Sequence, residues 1–177
     1  MKLVIASDIH GAASWCRRLV KCIEEIEPDK VVLLGDLLYH GPRNALPDDY
    51  DPKAVMALLN DMSEQIVAVR GNCEAEVDQM VLEFPCMADY SVILDSELDG
   101  SEHTLFCTHG HLFNPENLPN VSAGTTLVSG HTHVKLDEPH PMFSSIRLFN
   151  PGSVGIPKDG THSFGLYDGG AFSHVLL

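Results

Sequence analysis

Three short apolar runs, separated by helical patterns, restrict the fold before anything else is read. Residues 2–7, 30–34 and 66–69 are rich in Val, Ile and Leu, as buried strands are. Between the first two, Trp15, Leu19, Cys22, Ile23 and Ile26 recur at helical spacing over 13–27, and Pro28 ends the helix. Between the second and third lies a loop over 39–51. Pro52 then suits the first turn of a helix capped by Asp51 and continuing over 54–62. Strand–helix–strand–helix–strand predicts a parallel sheet with right-handed crossovers.

Beyond about Pro85 the pattern turns to strands, at 91–94, 104–108, 126–129, 145–149, 163–167 and 172–176. Short helices are expected only in the residues up to Glu83 and over 115–118. No Ser/Gly tract, charge block or internal repeat divides the chain. The 177 residues are enough to hide roughly 70% of the unfolded surface without disulfides or structural metal. The expectation is one α/β domain over 1–177: a four-layer αββα sandwich of two mixed sheets flanked by helices.

Eleven Lys and Arg stand against 25 Asp and Glu, a formal charge of −14. Such a chain has no electrostatic footprint for nucleic acid or an anionic membrane. A phosphate ligand would need something local to reverse the sign. No apolar stretch approaches the roughly 18 residues of a membrane span, and the first apolar run is too short for a signal peptide. The five cysteines (Cys16, Cys22, Cys73, Cys86, Cys107) are odd in number and form no C-x-x-C pair. Reduced thiols in the cytoplasm are the plain reading. The ten histidines call for an explanation, since imidazole is the commonest neutral metal ligand.

Metal-type residues sit just after the strands. Asp8 and His10 follow the first, Asp36 the second, Asn72 the third, His109 the 104–108 strand, and His131 and His133 the 126–129 strand. In open α/β sheets ligands bind beyond the carboxyl ends of strands. Each residue alone has an ordinary reading. Asp8 can cap the following helix, Asp36 and Asn72 can be turn residues after glycine, and the histidines can be plain surface. Their joint placement favours a metal site.

These residues form blocks: D-I-H at 8–10, G-D at 35–36, G-N-C-E at 71–74, His109, and G-H-T-H at 130–133. In that order they resemble the calcineurin-like metallophosphoesterases. The short length, T-H-G-H at 108–111 and N-P-G-S at 150–153 are similar to the small bacterial phosphodiesterases of that family. The resemblance implies that Asp8, His10 and His133 bind one divalent ion, that Asn72, His109 and His131 bind a second, and that Asp36 bridges them. Mixed oxygen and imidazole donors suit Mn, Fe or Zn; the resemblance favours Mn2+.

Two divalent ions, less the charges of Asp8, Asp36 and a bridging hydroxide, leave the site at about +1, the sign a phosphate needs. The implied reaction is hydrolysis of a small phosphate ester by that hydroxide, without a covalent intermediate. Asp36, Asn72 and Cys73 are the candidate catalytic residues. Cys73 stands where much of the family has a histidine placed to protonate the leaving oxygen, and it could equally fill space. His40, Arg43 and His111 are candidate substrate contacts, and a homo-oligomer is in keeping with the resemblance. Two alternatives remain: a phosphomonoesterase or nucleotidase of the same fold, and a non-catalytic scaffold like the retromer subunit of this fold.

Overall fold

In the computed structural model, which describes residues 1–96, 100 and 102–177, strand β1 (Lys2–Ala6) is the centre of the first sheet. Side chains alternate across a strand. Val4 and Ala6 therefore face the helices while Leu3 and Ile5 face a second sheet, and all four are fully buried. This explains a run that is apolar on both faces. β2 (Lys30–Leu33) and β3 (Ile66–Ala68) lie parallel to it, with Leu3 opposite Lys30 and Val31 opposite Ile66.

The crossovers are α1 (Ala13–Ile26) and α2 (Pro52–Asn60). Glu27 ends α1 in the left-handed conformation, φ 50°, returning its N–H to the Ile23 carbonyl. Asp51 caps α2, its carboxylate accepting from the Ala54 N–H at 3.0 Å. The expected helix to residue 62 stops at Asn60, and a single 3-10 turn (Ser63–Gln65) leads into β3. The short α3 (Glu76–Val81) follows β3.

The second sheet contains β4 (Tyr90–Ser96), β5 (Glu102–Thr108), β6 (Thr125–Val128), β7 (Lys135–Pro139) and β8 (Arg147–Pro151) in the order β4-β5-β6-β8-β7. β5, β6 and β8 are parallel, and the two edge strands are antiparallel. β9 (Ser163–Asp168) and β10 (Ala171–Leu176) return to the first sheet, giving β10-β9-β1-β2-β3. Leu105, Cys107, Val128 and Phe149 meet Leu3, Ile5, Val32, Leu34 and Tyr167 between the sheets.

Two expectations need correction. β7 was not foreseen, and residues 115–118 form no helix. Asn114 and Asn117 instead exchange backbone hydrogen bonds of 3.2 and 3.1 Å, and the Asn114 side chain accepts from the Glu116 and Asn117 amides. The layer over the outer face of the second sheet is therefore loop, with Phe113, Leu118 and Val121 packed on Phe106, Leu127 and Leu148. Among the described residues no helix is long and apolar enough to cross a membrane.

Candidate metal centre

The backbone itself marks the site. Among the described residues six non-glycine positions have positive φ, and five of them are Asp8 (56°), His10 (49°), Asp36 (56°), His131 (66°) and His133 (61°). Each such residue costs about 1–3 kcal/mol and persists only where its surroundings over-determine it. Here the loops hold one another. The Asp8 N–H donates to the Gly35 carbonyl at 3.1 Å and the His10 N–H to the Asp36 carbonyl at 2.9 Å. The Gly130 N–H donates to the His109 carbonyl at 2.8 Å. The loops approach so closely that a Cβ at Gly71 would overlap Asp36, and one at Gly130 would overlap the Ser7 hydroxyl.

The side chains converge from both sheets. His133 Nε2 is 3.2 Å from Asp8 Oδ1, and His10 Nε2 is 3.6 Å from the same oxygen. Asp36 Oδ2 is 3.6 Å from His10 Nε2 and 3.5 Å from His109 Nε2. His109 Nε2 is also 3.1 Å from both Asn72 Oδ1 and His131 Nδ1. One carboxylate oxygen of Asp36 thus lies between two groups of donors. Asp8 does not cap α1. Its Oδ2 instead accepts from the Ser7 hydroxyl at 2.6 Å and the His131 N–H at 3.0 Å.

This donor set fits divalent ions. Asp8 Oδ1 and His10 Nε2 are buried without a hydrogen-bond partner, a costly state unless something else binds them. The imidazoles are oriented by carbonyls. His10 Nδ1 reaches the Tyr39 carbonyl at 2.7 Å, His109 Nδ1 that of Leu34 at 2.8 Å, and His133 Nδ1 that of Ile156 at 2.7 Å. A carbonyl only accepts, so each Nδ1 carries the proton and each Nε2 presents a lone pair inward. Buried triads of Asp8, His10 and His133, and of Asp8, Asp36 and His109, could each hold an ion.

Burial opposes ionisation of Asp8, but the facing His10 and His133 outweigh it and hold its carboxyl well below the usual carboxylate range. Burial, then the Asp36 charge, pushes the Cys73 thiol far up, so it is protonated at neutral pH. Its backbone N–H donates to Asp36 Oδ1 at 2.9 Å.

A cavity of about 440 Å³ opens over the centre, and Asp36, Asn72, His131, His133 and Arg43 line it. His40 and His111 are not among its lining residues. His40 packs edge-on to Tyr39 and Tyr50, and His111 lies against His109 with ring centres 5.4 Å apart. Burial and the neighbouring His109 lower the pKa of His111. The remaining histidines do structural work. His140 accepts from the Met142 and Phe143 amides and reaches the Pro115 carbonyl, and His162 stacks on Trp15.

Two contributions, those of Glu74 and Lys158, were not read from the sequence, and a third, the N-P-G-S motif, was singled out there without its role. Glu74 accepts from the Asp36 N–H at 2.9 Å, the Leu37 N–H at 2.8 Å and the Gly71 N–H at 2.5 Å, binding two loops together. Its position in the G-N-C-E block was the only signal. Within N-P-G-S, the Asn150 side chain holds the Gly130 carbonyl at 2.8 Å and the Ser153 hydroxyl holds that of Asp8 at 2.8 Å. The motif is a brace for two site loops. Lys158 lines the cavity, yet in Pro157-Lys158-Asp159-Gly160 it reads as an ordinary surface turn.

Two sheets whose strand ends present strained Asp and His residues around paired donors define a metal-dependent phosphoesterase frame. The chain belongs to the calcineurin-like phosphoesterase superfamily, whose domain model matches residues 1–169. It is 45% identical to phosphodiesterase YfcE of Escherichia coli over 178 aligned residues, covering all of this chain and 92% of that protein. The structure of that E. coli phosphoesterase superposes with a TM-score of 0.90 over 98% of this chain and 91% of the other. An archaeal phosphodiesterase, 19% identical, shares the fold at a TM-score of 0.66 over the full length of both chains.

Proposed function

We propose that this protein is a metal-dependent phosphodiesterase that hydrolyses a small phosphate diester at a two-ion centre. The observation that carries the reading is the position of Asp36 Oδ2, 3.6 Å from His10 Nε2 and 3.5 Å from His109 Nε2. Asp8, His10 and His133 would hold one divalent ion, Asn72, His109 and His131 the other, and Asp36 would serve both. When bound, the ions supply Lewis acidity that makes a water nucleophilic near neutral pH and offsets charge on the phosphoryl oxygens. Asp8 and the carbonyl-anchored imidazoles fix the geometry, while Arg43 faces the substrate from the cavity wall. Cys73 is not among the cavity's lining residues; its Sγ lies beside His10 and Asp36 and accepts from the Asn72 amide at 3.3 Å, and from there its thiol would be a weak donor to the leaving oxygen.

Likeness to YfcE at 45% identity supports the diester over the monoester. We take manganese as the ion, the cytoplasm as the location and the whole chain as one domain. All five cysteines are free, in keeping with a reducing compartment. The test is hydrolysis of bis-p-nitrophenyl phosphate and p-nitrophenyl phosphate with added Mn2+ and with chelator. Faster metal-stimulated turnover of the diester is expected. Faster turnover of the monoester would make the protein a phosphomonoesterase, and no metal-stimulated turnover of either would leave a scaffold.

A further inference from the structure

The wall of the cavity over the metal centre has the opposite charge balance to the rest of the molecule. In a chain of 11 basic and 25 acidic residues, the cavity is lined by two cations, Arg43 and Lys158, and by a single carboxylate, Asp36. Among the described residues neither cation joins an ion pair, a state they share with Lys2, Arg17, Arg18, Lys30 and Lys53; what sets them apart is their place on the wall of this cavity. Both stand on anchored backbone. The Lys158 N–H donates to the carbonyl of His133 at 3.0 Å. Arg43 lies in a turn closed by Gly41 and Asn44, and the Asn44 side chain donates to the His40 carbonyl at 2.9 Å.

The charges do not balance for a simple diester. Two divalent ions with Asp8, Asp36 and a hydroxide leave about +1, which one diester phosphate neutralises. Arg43 and Lys158 then add two positive charges with no partner in the cavity. Such a rim favours ligands carrying further negative charge.

We propose that Arg43 and Lys158 are specificity-determining residues that recognise a second phosphate on the substrate. The substrate class is then a phosphate diester with an additional phosphoryl group on one of its two organic arms. The inference rests on the phosphodiesterase reading above, which supplies the scissile diester. In this proposal Lys158 and Arg43 act on the second phosphate rather than on the bond that breaks.

Three p-nitrophenyl diesters with one common leaving group test this in the manganese-loaded enzyme. They are p-nitrophenyl phosphocholine, the p-nitrophenyl ester of thymidine 5′-phosphate, and that ester carrying a 3′-phosphate. They run from zwitterion to monoanion to an anion with a second phosphate. We expect kcat/KM to rise along the series, by about tenfold for the last step, as for a charge met by two cations near a protein surface. Lys158→Ala and Arg43→Ala should each shrink that last step severalfold, and Lys158→Gln should match Lys158→Ala. Direct binding of thymidine 3′,5′-bisphosphate against thymidine 5′-phosphate, measured by calorimetry on the wild-type and the two alanine variants, reads the same contact without turnover, and equal affinity for the two ligands would overturn the proposal. Equal kcat/KM for the two thymidine esters, or a 3′-phosphate preference intact in both variants, would overturn the proposal while leaving the phosphodiesterase reading standing. No manganese-stimulated hydrolysis of any ester would bring down both.

Discussion

Glu74 carries three backbone amides from two loops on one carboxylate, although burial and the nearby Asp36 charge both push its pKa up. Truncating it leaves buried donors unpaired, at about 1–3 kcal/mol for each. Glu74→Ala should therefore lose about 3 kcal/mol or more in urea unfolding of the metal-free protein, and should purify with less metal because Asp36 loses its anchor. Unchanged unfolding and metal content would show that the clamp is incidental. Asp36 itself separates the ligand roles. Asp36→Ala should remove more metal than His133→Ala, and equal single-ion loss in both would refute the bridge. Cys73 bears on leaving-group chemistry, because a thiol held protonated donates more weakly than an imidazolium. Cys73→His should raise rates on diesters with poor leaving groups, by about tenfold or more for a positioned general acid, and should flatten the dependence on leaving-group pKa. At this scale the candidate ligands were legible because each falls in the loop that follows a strand. Glu74 and Lys158 were not, because their roles depend on the loop that arrives opposite them in space.

At the scale of elements, close approach between loops decides what is tolerated. A side chain at Gly71 would collide with Asp36, whereas Gly160, at φ 87°, has open space around it. Gly71→Ala should lose both stability and bound metal. Gly160→Ala should cost only the left-handed backbone penalty of about 1–2 kcal/mol with metal content intact. Paired thermal melts and metal analysis distinguish collision from strain, and similar metal loss in both variants would contradict the distinction. The contrast between elements read correctly and those misread has a similar cause. β1, β2 and β3 were legible because strands buried on both faces must be continuously apolar. β7 was not, because it is an edge strand of Lys135, Leu136, Asp137, Glu138 and Pro139 with its last three residues exposed. It is held by pairing to β8 and by Lys135 Nζ at 2.7 Å from Asp159, neither of which leaves an apolar pattern. The helix expected at 115–118 failed to Asn114, whose side chain takes the Glu116 and Asn117 amides for a local turn.

Across the whole molecule, the candidate ligands divide between the two sheets. Asp8, His10, Asp36 and Asn72 follow β1, β2 and β3, whereas His109, His131 and His133 follow β5 and β6. Ions held among them would join the sheets at the strand ends, where the core gives way to polar loops. Metal bound only by the folded protein stabilises it by mass action, about 2.7 kcal/mol at one hundred times Kd. Chelation should therefore lower Tm by several degrees at pH 8. That gap should close as pH falls, because each ligand imidazole must be neutral to bind. The sign is the same for the metal-free protein. Burial disfavours charge on His10, but Asp8 and Asp36 outweigh it and raise its pKa. A raised imidazole pKa adds stability that is fully present below its unfolded value, near 6.5, and is lost as pH rises through the folded one. Acid thus strengthens the metal-free pair while it weakens metal binding, and both effects narrow the difference. Melting curves with Mn2+ and with chelator from pH 8 to pH 5 should converge, starting above the ordinary imidazole range. A constant gap across that range would mean that the metal does not compete with protons for these histidines.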